Sequence, residues 1–153
     1  MSFEEPYDFA IMVGYHGMGG QLGIFPHTYR FDIKEILVNG TPIGEVEVIC
    51  RWLGSHGVPV ILVTGDREAT YEANYYNPYR TTCCTKNLFQ SEFICHQLLY
   101  EKLLCSIDVA LKLEKNLCLS HDTCIVTVEF YKPDVVGMLT DYEVNENKRV
   151  FKS

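Results

Sequence analysis

The longest uninterrupted apolar run of the chain, Val58-Pro-Val-Ile-Leu-Val63, stands between two stretches of helical spacing. A short run of this kind, bounded by turn residues, reads as a buried β-strand. Before it, Gly44 opens a stretch from Glu45 to His56 with apolar residues at Val46, Ile49 and Leu53, and also at Val48 and Trp52. Those intervals of three and four predict a helix, and Gly57 stops it. After the run, Thr64-Gly-Asp66 turns into a second helical stretch starting at Arg67. Asp66 is a good N-cap there, and Glu68 suits the positive end of the helix.

The rest of the chain continues the alternation. Phe9 to Val13 reads as a short buried strand running into a glycine-rich loop, Gly14-Tyr-His-Gly-Met-Gly-Gly-Gln-Leu-Gly23. Phe31 to Val38 approaches period-two alternation before Asn39-Gly40, a strong hairpin-turn signal, and Thr41 to Ile43 resumes an extended segment. Asn77-Pro78 marks a turn, Arg80 to Thr85 another strand, and Ser91 to Lys115 the strongest helical periodicity. That helix carries a wide apolar face drawn from Ile94, Cys95, Leu98, Leu99, Leu104, Ile107, Ala110 and Leu113. Thr123 to Phe130 and Arg149 to Lys152 complete the strands. Strands alternating with helices predict an α/β fold, one domain over residues 1–153 with a mixed β-sheet flanked by helices.

Composition removes several classes of function. A chain of 153 residues, 47% apolar, is long enough for one domain with a substantial core. Its net charge of −7 and the absence of any basic run argue against nucleic acid as a partner. The longest apolar run is far below the roughly 20 residues that span a bilayer, which argues against a membrane protein. The opening Met-Ser-Phe-Glu-Glu-Pro is acidic and carries no secretory pattern, so a cytoplasmic location is expected. The seven cysteines then read as reduced thiols. None forms a C-x-x-C pair, and most read as small core residues.

Chemistry points to the N-terminal part. His16 in the glycine-rich loop, His27 after Pro26 and Glu45 at a helix start are residue types that bind zinc. Their spacing matches no short zinc motif. On spacing alone the alternative stays open that both histidines bond to backbone and Glu45 stabilises its helix N-terminus. The glycine-rich loop lacks the Gly-Lys-Ser/Thr ending of a phosphate-binding loop, so its glycines are better read as places where backbone passes close to a site. Of the ten tyrosines, Tyr71, Tyr75, Tyr76 and Tyr79 form a candidate aromatic recognition surface, or else simply cover sheet and helices.

The succession Gly14-Tyr-His16, Pro26-His27-Thr28, Val38-Asn-Gly40, Pro42-Ile-Gly-Glu45, Gly57-Val-Pro-Val60, Thr64-Gly-Asp66, Glu72-Ala73 and Thr85-Lys86 resembles the C-terminal half of the DppA-type zinc D-aminopeptidases. The resemblance runs from about Phe9 to Phe130. In that family a dinuclear zinc site is held by an Asp-x-Glu pair, an Asn-Asp-Ser-His segment, the His of Gly-Tyr-His and the Glu of Gly-Glu. It implies that His16 and Glu45 are metal ligands and that His27 is the catalytic histidine. The Asp-x-Glu and Asn-Asp-Ser-His segments match nothing here. Ile49 stands where the family has Asn, and Arg67 where it has a second Asp.

The resemblance therefore implies a metal-dependent amide or peptide hydrolase whose zinc site is completed by another subunit. Its substrate would be a short D-peptide or other small molecule. It also implies a homo-oligomer, in ring-like assemblies, or a complementary subunit. The alternative is a catalytically inactive small-molecule-binding or structural subunit built on the same fold. Neither His56, His96 nor His121-Asp122 is placed by the sequence to replace the unmatched ligands.

Overall fold

A computed structural model describes residues 7–86, 96–115, 117, 125–132, 143–145 and 148–152. At its centre lies a parallel sheet of β1 (Ala10–Tyr15), β4 (Val60–Asp66) and β5 (Thr81–Lys86), in the order β1-β4-β5. The strand β4 is buried along its whole length. Val60 and Val63 pack with Val46 and Cys50 of α1 (Glu45–Ser55) and with Ala69 and Ala73 of α2 (Arg67–Tyr76). Ile61 and Leu62 join a separate cluster with Cys83 and with Ala110 of α3 (His96–Lys112). The apolar run that dominates the sequence is thus the strand around which all three helices gather.

A second, antiparallel sheet has the order β3-β2-β6-β8-β7, built from β2 (Ile33–Val38), β3 (Thr41–Ile43), β6 (Ile125–Phe130), β7 (Glu143–Asn145) and β8 (Lys148–Lys152). The expected hairpin joins β2 to β3. Asn39 and Gly40 have φ of 51° and 80°, as a two-residue type I′ turn requires. Ile33, Ile36, Ile43 and Phe130 form the core of this sheet, and Val48 of α1 and Tyr76 of α2 pack against it. These two helices therefore bridge the sheets.

The α/β class holds, with its parallel and antiparallel pairings divided between two sheets. Two features differ from the sequence reading. Thr64, Gly65 and Asp66 continue β4, pairing with Cys83, Cys84 and Lys86, and the chain turns only afterwards. The face of α3 that packs on the sheet is narrower than the spacing predicts, with Leu103, Ile107 and Ala110 inward and Leu98 and Leu104 exposed. A helix lying on two strands buries one stripe, whatever the width of its apolar face. Ile94 and Cys95 lie outside the described residues. Cys50 and Cys83 are buried, while Cys84 is half-buried and Cys105 exposed; all four are free thiols. No helix among the described residues is long and apolar enough to cross a membrane.

Gly65 marks the closest approach of β1 and β4. A Cβ there would fall on the carbonyl group of Tyr15, 2.8 Å from its carbon. Gly65→Ala is accordingly expected to lower stability by about 1–3 kcal/mol, the usual cost of overpacking. Urea unfolding reads this directly, and an unchanged midpoint would mean that the ends of β1 and β4 part freely.

Candidate metal centre

Parallel strands bring their carboxyl ends to one edge, where the loops between elements form crevices. Here the glycine-rich loop leaves β1 beside the end of β4. Gly14, with φ 79°, sits at the irregularity of β1 between Met12 and Tyr15, and its N–H donates to Thr64 Oγ1 at 3.0 Å. The N–H of Gly17 donates to Asp66 Oδ2 at 3.1 Å and that of Gly19 to Thr28 Oγ1 at 3.0 Å. These amides are engaged by side chains, so the loop is no phosphate cradle. Lys86 Nζ donates to the Gly14 carbonyl at 2.8 Å, tying the loop to β5 as well. Asp66 serves two segments, since its Oδ1 also caps α2 by accepting from Ala69 N at 2.9 Å.

The second part of the loop presents His27. Phe25 and Tyr29 flank it with φ of 55° and 57°. A left-handed conformation in a residue other than glycine costs on the order of 1 kcal/mol and persists where the surroundings impose it. Here the fully buried Thr28 and the bond from His27 N to Gly17 O, 3.3 Å, impose it.

Glu45 opens α1. Its neighbour Gly44, the N-cap, has no side chain to cap the helix. A different residue does so: Glu72 of α2 accepts from Gly44 N at 2.9 Å and from Glu47 N at 3.0 Å, both through Oε1. Burial pushes the Glu72 carboxyl up to about 7, although the two backbone N–H groups oppose the rise. Glu45 is therefore not needed as a cap. It faces the loop, where its Oε1 accepts from Tyr29 N at 2.6 Å. Burial, and then the Glu45 charge, push the Tyr29 phenol up to about 12, so that side chain stays neutral.

The three sequence candidates meet. Glu45 Oε1 lies 3.9 Å from His16 Nε2 and 4.0 Å from His27 Nε2. The two imidazoles stack at 3.9 Å with an 18° tilt, and His27 also stacks on Phe31 at 4.6 Å. One donor atom from each of the three lies within 4.8 Å of the others. His16 Nδ1 is 3.1 Å from Gly17 O and His27 Nδ1 is 2.8 Å from Phe25 O. A carbonyl oxygen only accepts, so each Nδ1 carries a proton, and in the neutral imidazole each Nε2 is the lone-pair nitrogen nearest the carboxylate. With both rings neutral, three electron-pair donors face one small space, an arrangement that a cation between them stabilises. Their separations are only slightly wider than the roughly 3.4 Å between neighbouring ligands of a tetrahedral zinc ion. The residues present fit a metal.

The other candidates stand apart. His56 lies at the far end of α1, its Nδ1 2.8 Å from Trp52 O. The His96 side chain and His121-Asp122 lie outside the described residues. Ile49 packs against the main core and Arg67 is exposed. The sequence reading missed Glu72 as the cap of α1. Its recurrence beside Ala73 in the quoted succession was the one available signal.

Comparison with known proteins identifies the family. A D-aminopeptidase family profile matches residues 1–142. A D-aminopeptidase of Bacillus subtilis (strain 168) is 30% identical over 83 residues, an alignment spanning 54% of this chain and 30% of that protein. A solved structure described as the Zn-dependent D-aminopeptidase DppA from Bacillus subtilis, a self-compartmentalizing protease, matches the fold with a TM-score of 0.79 at 23% identity. It covers 96% of this chain and 57% of its own, so the present chain spans little more than half the length of that relative. With most of its residues matched by the family profile, the chain belongs to the D-aminopeptidase family.

Proposed function

We propose that this chain contributes His16, His27 and Glu45 to the active site of a zinc-dependent amide hydrolase acting on D-aminoacyl amides or short D-peptides, with the remaining metal ligands supplied by another subunit. The observation that carries this reading is the convergence of two Nε2 lone pairs and a carboxylate, each held by a backbone hydrogen bond. His16 and Glu45 hold the metal. When bound, zinc supplies Lewis-acid chemistry, stabilising charge on a carbonyl oxygen and favouring deprotonation of water.

His27 Nε2 takes a proton from the attacking water as its oxygen bonds to the amide carbon. The same nitrogen returns that proton to the leaving amine as the C–N bond breaks. Phe31, stacked on His27, keeps one side of the ring dry. The donor count supports the second subunit, because among the described residues only His16 and Glu45 remain as ligands once His27 is assigned to proton transfer, and zinc generally takes at least three. The surface agrees, since Leu22, Phe25 and Phe31 stand 87%, 77% and 71% exposed in the loop that carries His27. Apolar rims of this kind mark contact surfaces.

The test is metal analysis, light scattering and hydrolysis of D-alanyl-p-nitroanilide on one purified preparation. The expected result is a zinc-containing assembly whose activity disappears with EDTA and returns with zinc. A zinc-loaded assembly inactive on D-aminoacyl anilides would overturn the hydrolase reading. A stable active monomer would overturn the shared site.

A further inference from the structure

Five of the ten residues from Gly14 to Gly23 are glycine. Such a segment loses much conformational entropy on ordering, so the contacts that hold His16 in place come largely from outside it. Asp66 supplies them. It is the last residue of β4, the N-cap of α2, and fully buried. Its Oδ1 accepts from Ala69 N and its Oδ2 from Gly17 N. The Gly17 N–H belongs to the peptide that joins His16 to Gly17, so this bond fixes the backbone torsion beside the His16 side chain. The carbonyl of the next peptide, Gly17 O, accepts from His16 Nδ1 at 3.1 Å and from His27 N at 3.3 Å. Gly17 also lies directly on the first turn of α2, where a Cβ would fall 2.8 Å from Glu68 Cβ. Two successive peptides thus connect the Asp66 carboxyl to both histidines.

We propose that Asp66 is a positioning residue of the metal centre, touching neither zinc nor substrate and acting through Gly17 on His16 and His27. The inference rests on the zinc reading of the cluster. Capping α2 accounts for Oδ1 alone and leaves the bond from Gly17 N to Oδ2 without a role. With both oxygens engaged inside the protein, Asp66 is not itself placed as a ligand. An imidazole that gives one nitrogen to a metal is oriented by the group its other nitrogen bonds. For His16 that group is Gly17 O. The carbonyl stays in place because the N–H of the same residue is held by a side chain at the rigid end of the central strand. The loop therefore does not set the direction of His16 by itself; the junction of β4 and α2 does.

The test uses Asp66→Asn and Asp66→Ser. Asn and Ser are both good N-caps, but the amide has one accepting oxygen where the carboxyl has two, and the serine hydroxyl is too short to serve two segments. Ile107→Ala, on α3, is the control, since it removes core packing far from the loop. Each protein is stripped with EDTA, titrated calorimetrically with zinc chloride, and its histidine ring nitrogens are recorded by NMR without metal at pH 8. Both Asp66 variants are expected to bind zinc about tenfold more weakly, the lower end of what lost support of a ligand costs, while Ile107→Ala stays within about twofold of the wild type. In the metal-free spectra His16 should be the Nδ1–H form in the wild type and in Ile107→Ala, and should shift toward the Nε2–H form in the Asp66 variants. An unchanged His16 tautomer in both Asp66 variants overturns the proposal, and so does a loss of zinc affinity in Ile107→Ala equal to theirs. A wild type that takes up no zinc overturns the metal reading, and the tautomer comparison then decides separately whether Asp66 orients His16.

Discussion

Glu45→Ala is expected to lower the zinc affinity of the assembled protein by more than about 100-fold, and His16→Ala by a similar factor. Loss of a group that only hydrogen-bonds to a ligand typically costs 10–100-fold, and these changes remove a ligand itself. Glu45→Ala also leaves Tyr29 N–H without its acceptor, so the loop that presents His27 loses its tie to α1. His27→Ala should behave differently. It should largely spare zinc and reduce hydrolysis by roughly 10²–10⁴-fold, the usual contribution of a positioned general base. Calorimetric zinc titration and single-turnover hydrolysis, run on all three variants, separate the roles. Should His27→Ala lose as much zinc affinity as His16→Ala, His27 is a ligand and the proton-transfer role passes elsewhere.

The second large effect concerns stability and pH. Burial holds the Glu72 carboxyl at about 7, against 4.5 for the exposed group. Below 4.5 the carboxyl is protonated in both folded and unfolded chains, and its contribution to stability is fully present. Between 4.5 and 7 the unfolded chain releases the proton while the folded chain keeps it, so stability falls as pH rises. At about 1.4 kcal/mol per pH unit the loss reaches about 3 kcal/mol by neutral pH. Glu72→Gln removes the titration and keeps an acceptor for Gly44 N and Glu47 N. Urea unfolding at pH 5 and pH 8 should therefore show the wild type losing about 3 kcal/mol more than the variant over that interval. Parallel losses in the two proteins would show that Glu72 is already ionised in the fold at pH 5.

The sequence made legible those features whose cause is local. Asn39-Gly40 announced the hairpin because a type I′ turn needs two left-handed residues, and Asp66 announced the start of α2 because its carboxylate reaches Ala69 N. The end of β4 was misplaced because Thr64-Gly-Asp66 has turn composition, whereas its conformation is set by pairing with β5. Glu72 escaped notice for the same kind of reason. It caps a helix whose N-cap, Gly44, lies 28 residues earlier, a partnership no periodicity encodes. His16, His27 and Glu45 are separated by intervals that form no short motif, so family resemblance, not spacing, tied them together before the structure brought their donor atoms within 4.8 Å.

The ties that hold the glycine-rich loop also bear on the order in which the protein folds. Gly14 reaches Thr64 and Gly17 reaches Asp66 across about 50 residues, as does the pairing of β1 with β4. The β2–β3 hairpin closes over two residues, Asn39 and Gly40. Hairpins form within microseconds, whereas contacts between distant segments must first overcome the entropy of closing a long loop. His16 thus comes to face Glu45 only after the parallel sheet has assembled. If the cluster holds zinc as proposed, a metal ion arriving earlier would find separated donors, and its uptake would report the completion of folding.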